Sequence, residues 1–142
     1  MASVKQVLEV KGHEVWSIGP DATVYEAIKL MADKEIGALV VKEGDSLVGV
    51  LSERDYARKV VLQGRSSMET KIREIMTTRI AYAKPEQSVE ECMAMMTDKR
   101  VRHLPVMEGK RLLGLISIGD LVKAIIEEQQ HTIRQLEQYI SG

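Results

Sequence analysis

The chain has 142 residues, and its 20 lysines and arginines nearly balance 21 aspartates and glutamates. This length predicts one compact domain of ordinary size, and the balanced charge argues against a nucleic-acid binder or a membrane anchor that relies on a basic surface. With 44% hydrophobic residues but no Phe, the core is expected to be aliphatic, with Met filling gaps. No segment has the roughly 18 consecutive apolar residues of a spanning helix, and the N-terminus lacks the apolar core of a signal peptide, so a cytoplasmic protein is predicted.

The cysteine and the histidines offer no metal or disulfide chemistry. Cys92 is the single cysteine, so neither an intrachain disulfide nor a thiolate-rich zinc site can form, and its neighbours Met93 and Met96 predict a buried apolar environment. His13 and His131 have no partner at metal-ligand spacing, and we interpret both as solvated. No metal site is predicted.

The chain contains an internal repeat. A shift of 65 residues aligns positions 20–61 with 85–126 without a gap. Identical pairs include Gly49/Gly114, Ser52/Ser117 and Asp55/Asp120. The sequence therefore predicts a first repeat over residues 1–65, a second over 66–128 and a C-terminal helical extension over 129–142.

Each repeat is predicted to run helix, strand, helix, strand, strand, helix. Positions 24, 27, 28 and 31, and again 89, 92, 93 and 96, have the spacing of an amphipathic helix. Apolar runs at 38–41 and 47–51 flank a turn with Gly44, and runs at 103–106 and 112–116 flank Gly109, which predicts a β-hairpin in each copy. Further helices are expected from about 53 to 62 and from about 119 onward. One copy is too small to bury its sheet alone, so the two are expected to associate about a pseudo-two-fold axis, with paired clefts at their junction.

The segment between the hairpin and the last helix of each copy carries the most chemistry. It contains Ser-x-x-Asp, at Ser52 and Asp55 and again at Ser117 and Asp120. This spacing is that of a capping box, which would explain it fully as helix stabilisation. It equally suits a nucleotide site, because a helix start favours phosphate and an ionised carboxylate can accept bonds from two ribose hydroxyls.

These motifs, together with residues 72–77 (Ile-Arg-Glu-Ile-Met-Thr) and 101–106 (Val-Arg-His-Leu-Pro-Val), make the chain resemble the cystathionine β-synthase (CBS) domain family over almost its whole length. The resemblance implies an α/β (α+β) fold of tandem CBS repeats, each a small three-stranded sheet with flanking helices. It also implies a stand-alone regulatory module that binds AMP, ADP, ATP, S-adenosylmethionine or NAD(H) in clefts between the repeats, with AMP or NAD(H) favoured.

The resemblance also implies which residues would contact a ligand. It assigns the ribose hydroxyls to Asp55 and Asp120, and the phosphate side or the helix cap to Ser52 and Ser117, with Arg54 and Arg58 within reach of a phosphate. The base pockets would be formed by Val15, Trp16, Gly37 and Ala38 in one site, and by Thr77, Ile80, Ala81, Arg102, His103, Leu104 and Pro105 in the other. Arg102 and His103 either add positive charge for phosphate or are simply exposed polar residues at the start of a strand.

No catalytic pattern accompanies these motifs. The sequence has no Gly-x-Gly-x-x-Gly before a helix and no phosphate-binding Gly-x-x-x-x-Gly-Lys-[Ser/Thr]. No carboxylate pairs with a base and a nucleophile, so no enzyme activity and no catalytic cofactor are expected.

The last helix is predicted to extend beyond the repeat. From Asp120 to about Ile140 nothing breaks it, and positions 122, 126, 129, 133, 136 and 140 follow a 4-3-4-3-4 spacing. Such a seam favours a homodimer; the alternative is a helix whose first half lies on the second repeat and whose remainder frays.

Three functions are compatible with these features. The favoured one is a nucleotide sensor read by an unidentified regulated protein. The alternatives are a structural dimerisation adaptor with vestigial nucleotide clefts, and a redox-responsive regulator that distinguishes NAD from NADH.

Overall fold

The computed structural model describes residues 2–141 of the chain. Its helices are α1 (Val4–Lys11), α2 (Val24–Lys34), α3 (Glu53–Tyr56), α4 (Val89–Lys99) and α5 (Ile118–Ser141), and its strands are β1 (Ser17–Ile18), β2 (Ala38–Glu43), β3 (Ser46–Ser52), β4 (His103–Glu108) and β5 (Arg111–Ser117). The chain divides into two compact units: unit 1 comprises Met1–Glu14 and Ala81–Gly142, and unit 2 comprises Val15–Ile80. Met1 and Gly142, the outer ends of the ranges predicted from the sequence, lie outside the described residues.

Unit 2 is built on a three-stranded sheet in the order β1-β2-β3. β1 is parallel to β2, whereas β2 and β3 form the expected antiparallel hairpin. Gly44 begins its two-residue turn at φ 63°, a conformation that other residues rarely adopt. The core is aliphatic, as the composition predicts, and includes the α2 stripe of Val24, Ala27 and Met31.

Unit 1 contains a two-stranded sheet, the β4-β5 hairpin. The third strand expected in this copy is reduced to one parallel bridge between Ala83 and Val106. The α4 stripe follows the α2 stripe, with Val89, Cys92 and Met96 buried. Cys92 is fully buried in this core, and the burial raises the pKa of its thiol to about 11, so it is a packing residue and not a reactive one.

The compact units do not coincide with the sequence repeats. α1 starts the chain but lies in unit 1, where the backbone N–H groups of Val4 and Lys5 donate to the carbonyls of Gln87 and Pro85, both at 2.9 Å. Conversely, the segment after the first repeat is part of unit 2, where Ile72 and Ile75 are buried. Each unit therefore contains the first helical segment of the other repeat. The ranges 1–65, 66–128 and 129–142 divide the sequence, but they are not the compact units.

Two predicted helices differ from the pattern. The short helix expected at the start of the second repeat is a single 3-10 turn, Ile72–Glu74. The helix expected from 53 to 62 is α3 followed by a π-helical turn, Ala57–Val61. Both segments are too short for residue periodicity to fix their hydrogen-bond pattern.

Candidate functional site

Both Ser-x-x-Asp segments lie where a hairpin strand runs directly into a helix, and both form complete capping boxes. At the start of α3 the Ser52 backbone N–H donates to Asp55 Oδ2 at 2.9 Å, and the Asp55 N–H donates to Ser52 Oγ at 3.2 Å. At the start of α5 the Ser117 N–H donates to Asp120 Oδ2 at 2.8 Å, and the Asp120 N–H donates to Ser117 Oγ at 3.2 Å. The two carboxylates are therefore held in one orientation by their own backbone.

In unit 2, further side chains contact Asp55 Oδ1. Thr77 Oγ1 donates to this oxygen at 3.3 Å, and the Lys59 ammonium lies 3.1 Å from it. Lys59 also donates to the Ile75 carbonyl at 2.9 Å. Thr77 is held by a pair of backbone bonds with Val50, at 2.9 and 3.0 Å. The family resemblance implies that Thr77 belongs to the second base pocket, with residues of the second copy; in the structure its hydroxyl contacts the carboxylate of the first copy.

In unit 1, a lysine from α1 occupies the corresponding position. Lys11 Nζ donates to Asp120 Oδ2 at 2.6 Å and to the Leu115 carbonyl at 2.5 Å. Leu115 is the counterpart of Val50 in the repeat, so the Lys11 ammonium contacts the same carbonyl as the Thr77 backbone N–H in unit 2, but it bonds to Oδ2 of its carboxylate, whereas the Thr77 hydroxyl bonds to Oδ1. Nearby, a ring nitrogen of His13 lies 2.7 Å from the Leu113 carbonyl; this histidine, expected to be solvated, is exposed but contacts the edge of β5.

Charges around Asp120 perturb two ionisable groups. Burial raises the pKa of the Asp120 carboxyl, but the bonds from Lys11 and from Ser117 together outweigh it and hold this pKa below its ordinary value. Burial lowers the pKa of His103, and the nearby Lys11 charge lowers it further. Asp120 is thus ionised and His103 neutral near pH 7, so the charged groups facing each other here are the carboxylate and the Lys11 ammonium.

A cavity of about 260 Å³ lies beside this ion pair within unit 1. Asp120, Lys11 and Lys123 contribute its charged wall, together with Glu127. α1 supplies an apolar side through Val7 and Val10. An apolar wall with a few convergent charged groups is the usual lining of a small-molecule site.

The remaining predicted site residues divide between framework and surface. Ala38 pairs with Ser52 across β2 and β3, and the Gly37 carbonyl accepts from the Glu53 N–H at 3.1 Å, so both lie at the start of α3. In unit 1, His103 pairs with Ser117 and the Arg102 carbonyl accepts from the Ile118 N–H at 2.9 Å, which places both at the start of α5.

Other members of the predicted base pockets contribute mainly to packing or are exposed. Trp16 is partly buried in unit 2, with the Lys34 ammonium 4.2 Å from its ring centroid. Leu104 and Pro105 are buried, whereas Val15, Ile80 and Ala81 are partly buried. Arg54 on α3 and Arg58 on the π-helical turn that follows it are both exposed.

Sequence reasoning missed both lysines. Lys59 lies four residues after Asp55 on the same helical segment, a spacing that brings side chains together, so it could have been found. Lys11 is 109 residues from Asp120, and no sequence pattern connects them. Within residues 2–141, no three His, Cys, Asp or Glu side chains converge as a metal site, and no helix is long and apolar enough to cross a membrane.

Comparisons with known proteins agree with this architecture. A family model described as CBS domain matches residues 4–62 and 72–127. The mitochondrial CBS domain-containing protein CBSX3 of Arabidopsis thaliana is 41% identical over 150 residues, which cover 99% of this chain and 72% of that protein. A solved structure of a protein with CBS domains from Burkholderia ambifaria is 53% identical, with a TM-score of 0.87 over 90% of this chain and 96% of that one.

A more distant structure shares the fold. The CBS domain pair of protein MJ0100 is 22% identical, with a TM-score of 0.79 over 90% of this chain and 98% of that one. It was solved in complex with 5′-methylthioadenosine and S-adenosyl-L-methionine.

Proposed function

This chain belongs to the CBS domain family, and on that premise we propose that it is a non-catalytic regulatory module that binds adenosine nucleotides at the starts of α3 and α5. AMP and NAD(H) are the ligands that we favour. The observation that carries the proposal is the duplicated Ser–Asp box, in which backbone bonds fix a carboxylate at each strand-to-helix junction.

Asp120 is suited to a ribose because of how its oxygens are used. The bonds from Lys11 and Ser117 both go to Oδ2, so Oδ1 is the oxygen that a ribose hydroxyl would meet first. An ionised carboxylate accepts bonds only, and a ribose diol offers two donors. At Asp55 the same role would require a ribose hydroxyl to replace Thr77 or Lys59 at Oδ1.

The lysines give each junction a cation for the phosphate. The Lys11 and Lys59 ammoniums lie beside the carboxylates of their own junctions, so an anionic group of a ligand bound there has a cation with which to pair. Lys123 adds a second ammonium to the wall of the cavity beside Asp120. The MJ0100 complex supports the general idea, since both of its ligands contain adenosine and its fold is the same.

Thermal unfolding with AMP, ADP, ATP, NAD, NADH and S-adenosylmethionine tests the proposal. A ligand present at 100 times its dissociation constant stabilises by roughly 2.7 kcal/mol, which raises Tm by several degrees. Asp55→Asn and Asp120→Asn keep an oxygen that can cap the helix but remove the charge, so each should weaken binding at its own junction at least tenfold, given about 1.5–3 kcal/mol for a hydrogen bond to a charged group.

The matched control is Glu91→Gln. Ser88 and Glu91 form the same kind of capping box at the start of α4, with bonds of 3.2 and 3.0 Å, but that helix does not follow a hairpin strand. Nucleotide binding should survive Glu91→Gln. If nucleotide-free parent protein responds to none of the six compounds, the proposal is wrong.

The second candidate is a structural adaptor without a ligand. It is favoured by the observation that both Ser–Asp boxes are complete and both carboxylates already contact an ammonium. If the protein is such an adaptor, Asp55→Asn and Asp120→Asn should lower its stability, and neither the parent nor the variants should respond to a nucleotide. A difference between NAD and NADH would instead favour the redox-responsive regulator.

We also propose that the chain forms a homodimer and acts on a separate regulated protein. The homodimer is supported by the apolar residues that α5 exposes, among them Ile133 and Leu136 at 54% and 57%. A cytoplasmic location stays a prediction, and the Arabidopsis relative is described as mitochondrial.

A further inference from the structure

α5 has two apolar faces, of which unit 1 covers one. Leu121 is fully buried, and Ala124 and Ile125 contact the same core. The other face, rotated by about 100° around the helix axis, bears side chains that are substantially exposed. These are Val122 (40%), Ile126 (47%), Ile133 (54%), Leu136 (57%) and Ile140 (82%), with exposed Gln129 completing the row.

The spacing of this exposed row is the same in both directions along the helix. Its 4-3-4-3-4 pattern is therefore self-complementary when a second α5 runs antiparallel. Centred on residue 131, an antiparallel pair places Val122 opposite the partner's Ile140, Ile126 opposite the partner's Leu136, and Gln129 opposite the partner's Ile133. All six positions are then matched by knobs-into-holes packing.

The flanking charges favour the same direction. Lys123 and Glu137 lie on one edge of the row and are exposed. They are 14 residues, or about 21 Å, apart at 1.5 Å per residue, so they cannot pair within one helix. In this register Lys123 lies two residues, or about 3 Å along the axis, from the level of the partner's Glu137 on the facing edge, which these long side chains can span, so the pair forms twice. In a parallel pair, Lys123 would instead face uncharged residues of the other edge.

The other edge of the row offers a complementary shape. It carries Tyr139, whose side chain is 86% exposed, and Ile125. Ile125 helps to line a groove of about 440 Å³, together with Glu90, Thr132 and Ile133. In the same register the partner's Tyr139 lies two residues, or about 3 Å along the axis, from the level of Ile125, so its ring would reach over this groove.

We propose that α5 is the dimer interface of this protein and binds α5 of a second copy in an antiparallel orientation centred on residue 131. This inference rests on the proposed homodimer and specifies its geometry. The occupant of the exposed face is a second copy of this chain because its apolar spacing, edge charges and groove all match in one register.

Charge exchange on the full chain tests the orientation, with mass measured by light scattering over a concentration series. Lys123→Glu and Glu137→Lys each put like charges opposite each other twice per dimer, so each should raise the dimer dissociation constant about tenfold. The double variant restores opposite charges and should return to within about twofold of the parent. Lys110→Glu, in the exposed β4-β5 turn, changes the net charge equally and should leave the dimer unchanged.

The outcomes separate the geometry from the dimer itself. Weakening by both single changes without recovery in the double variant would overturn the antiparallel pairing. A parent dimer that neither the charge variants nor Tyr139→Ala affects would overturn α5 as the interface while leaving the homodimer intact. A parent that stays monomeric, or that forms a larger closed assembly, would overturn both.

Discussion

The ion pair between Lys11 and Asp120 is expected to stabilise the attachment of α1, and Lys11→Met tests this. Met keeps most of the apolar stem but removes the ammonium that contacts Asp120 at 2.6 Å and Leu115 O at 2.5 Å. The two side chains are 36% and 24% exposed, so solvent screens the pair, and its contribution should be about 1 kcal/mol, the upper end for exposed pairs. With roughly 2.1 cal/mol/K of unfolding entropy per residue and 142 residues, that loss lowers Tm by about 3 °C.

The pH dependence of this effect follows from the carboxyl. The pKa of Asp120 in the folded protein lies below its ordinary 3.8, because the Lys11 and Ser117 bonds outweigh burial. The stabilisation by the ion pair is therefore fully present above the pKa that Asp120 has in the unfolded chain. It is lost as the pH falls through the lower pKa that Asp120 has in the folded protein. The difference between the parent and Lys11→Met should be constant near neutrality and shrink below about pH 4.

A double-mutant cycle measured by urea denaturation at pH 7 isolates the pair. Lys11→Met, Asp120→Asn and their combination should give a coupling energy of about 1 kcal/mol. Lys5→Met, on the same helix and exposed, is the control and should change stability by less than about 0.5 kcal/mol. A coupling energy near zero, or an equal loss in Lys5→Met, would refute the reasoning.

Three further predictions concern the framework. Gly114→Ala should cost about 1–3 kcal/mol in urea denaturation by overpacking, because a Cβ there would lie 2.7 Å from Leu8 Cδ2, whereas Gly19→Ala, which meets nothing within 4 Å, should not. Glu35→Gly should raise stability by about 0.5–1 kcal/mol in the same assay, since Glu35 ends α2 at φ 54° where glycine is unstrained, and a decrease would contradict this. Cys92, with its pKa raised to about 11, should react with a thiol reagent at pH 8 only at the rate of unfolding; prompt stoichiometric reaction of the native protein would show that it is accessible.

Much of the fold and part of the site could be predicted from local sequence. The hairpins around Gly44 and Gly109 and the capping boxes at Ser52 and Ser117 depend on residues within a few positions of each other, and the 65-residue repeat predicts each of them twice. A turn glycine or a Ser-x-x-Asp spacing exerts its effect through backbone geometry and short-range bonds, which are present in the sequence itself. The CBS resemblance and the two fixed carboxylates followed from these features.

Only the tertiary structure decided what each carboxylate contacts. The sequence alone could not place α1 beside the second hairpin, because that exchange depends on buried contacts such as Leu8 against Gly114. Once α1 lies there, Lys11 reaches across 109 residues to Asp120, while Thr77 contacts Asp55. The sequence therefore determined two equivalent carboxylates, and long-range packing made them different by giving one a hydroxyl partner and the other an ammonium from another part of the chain.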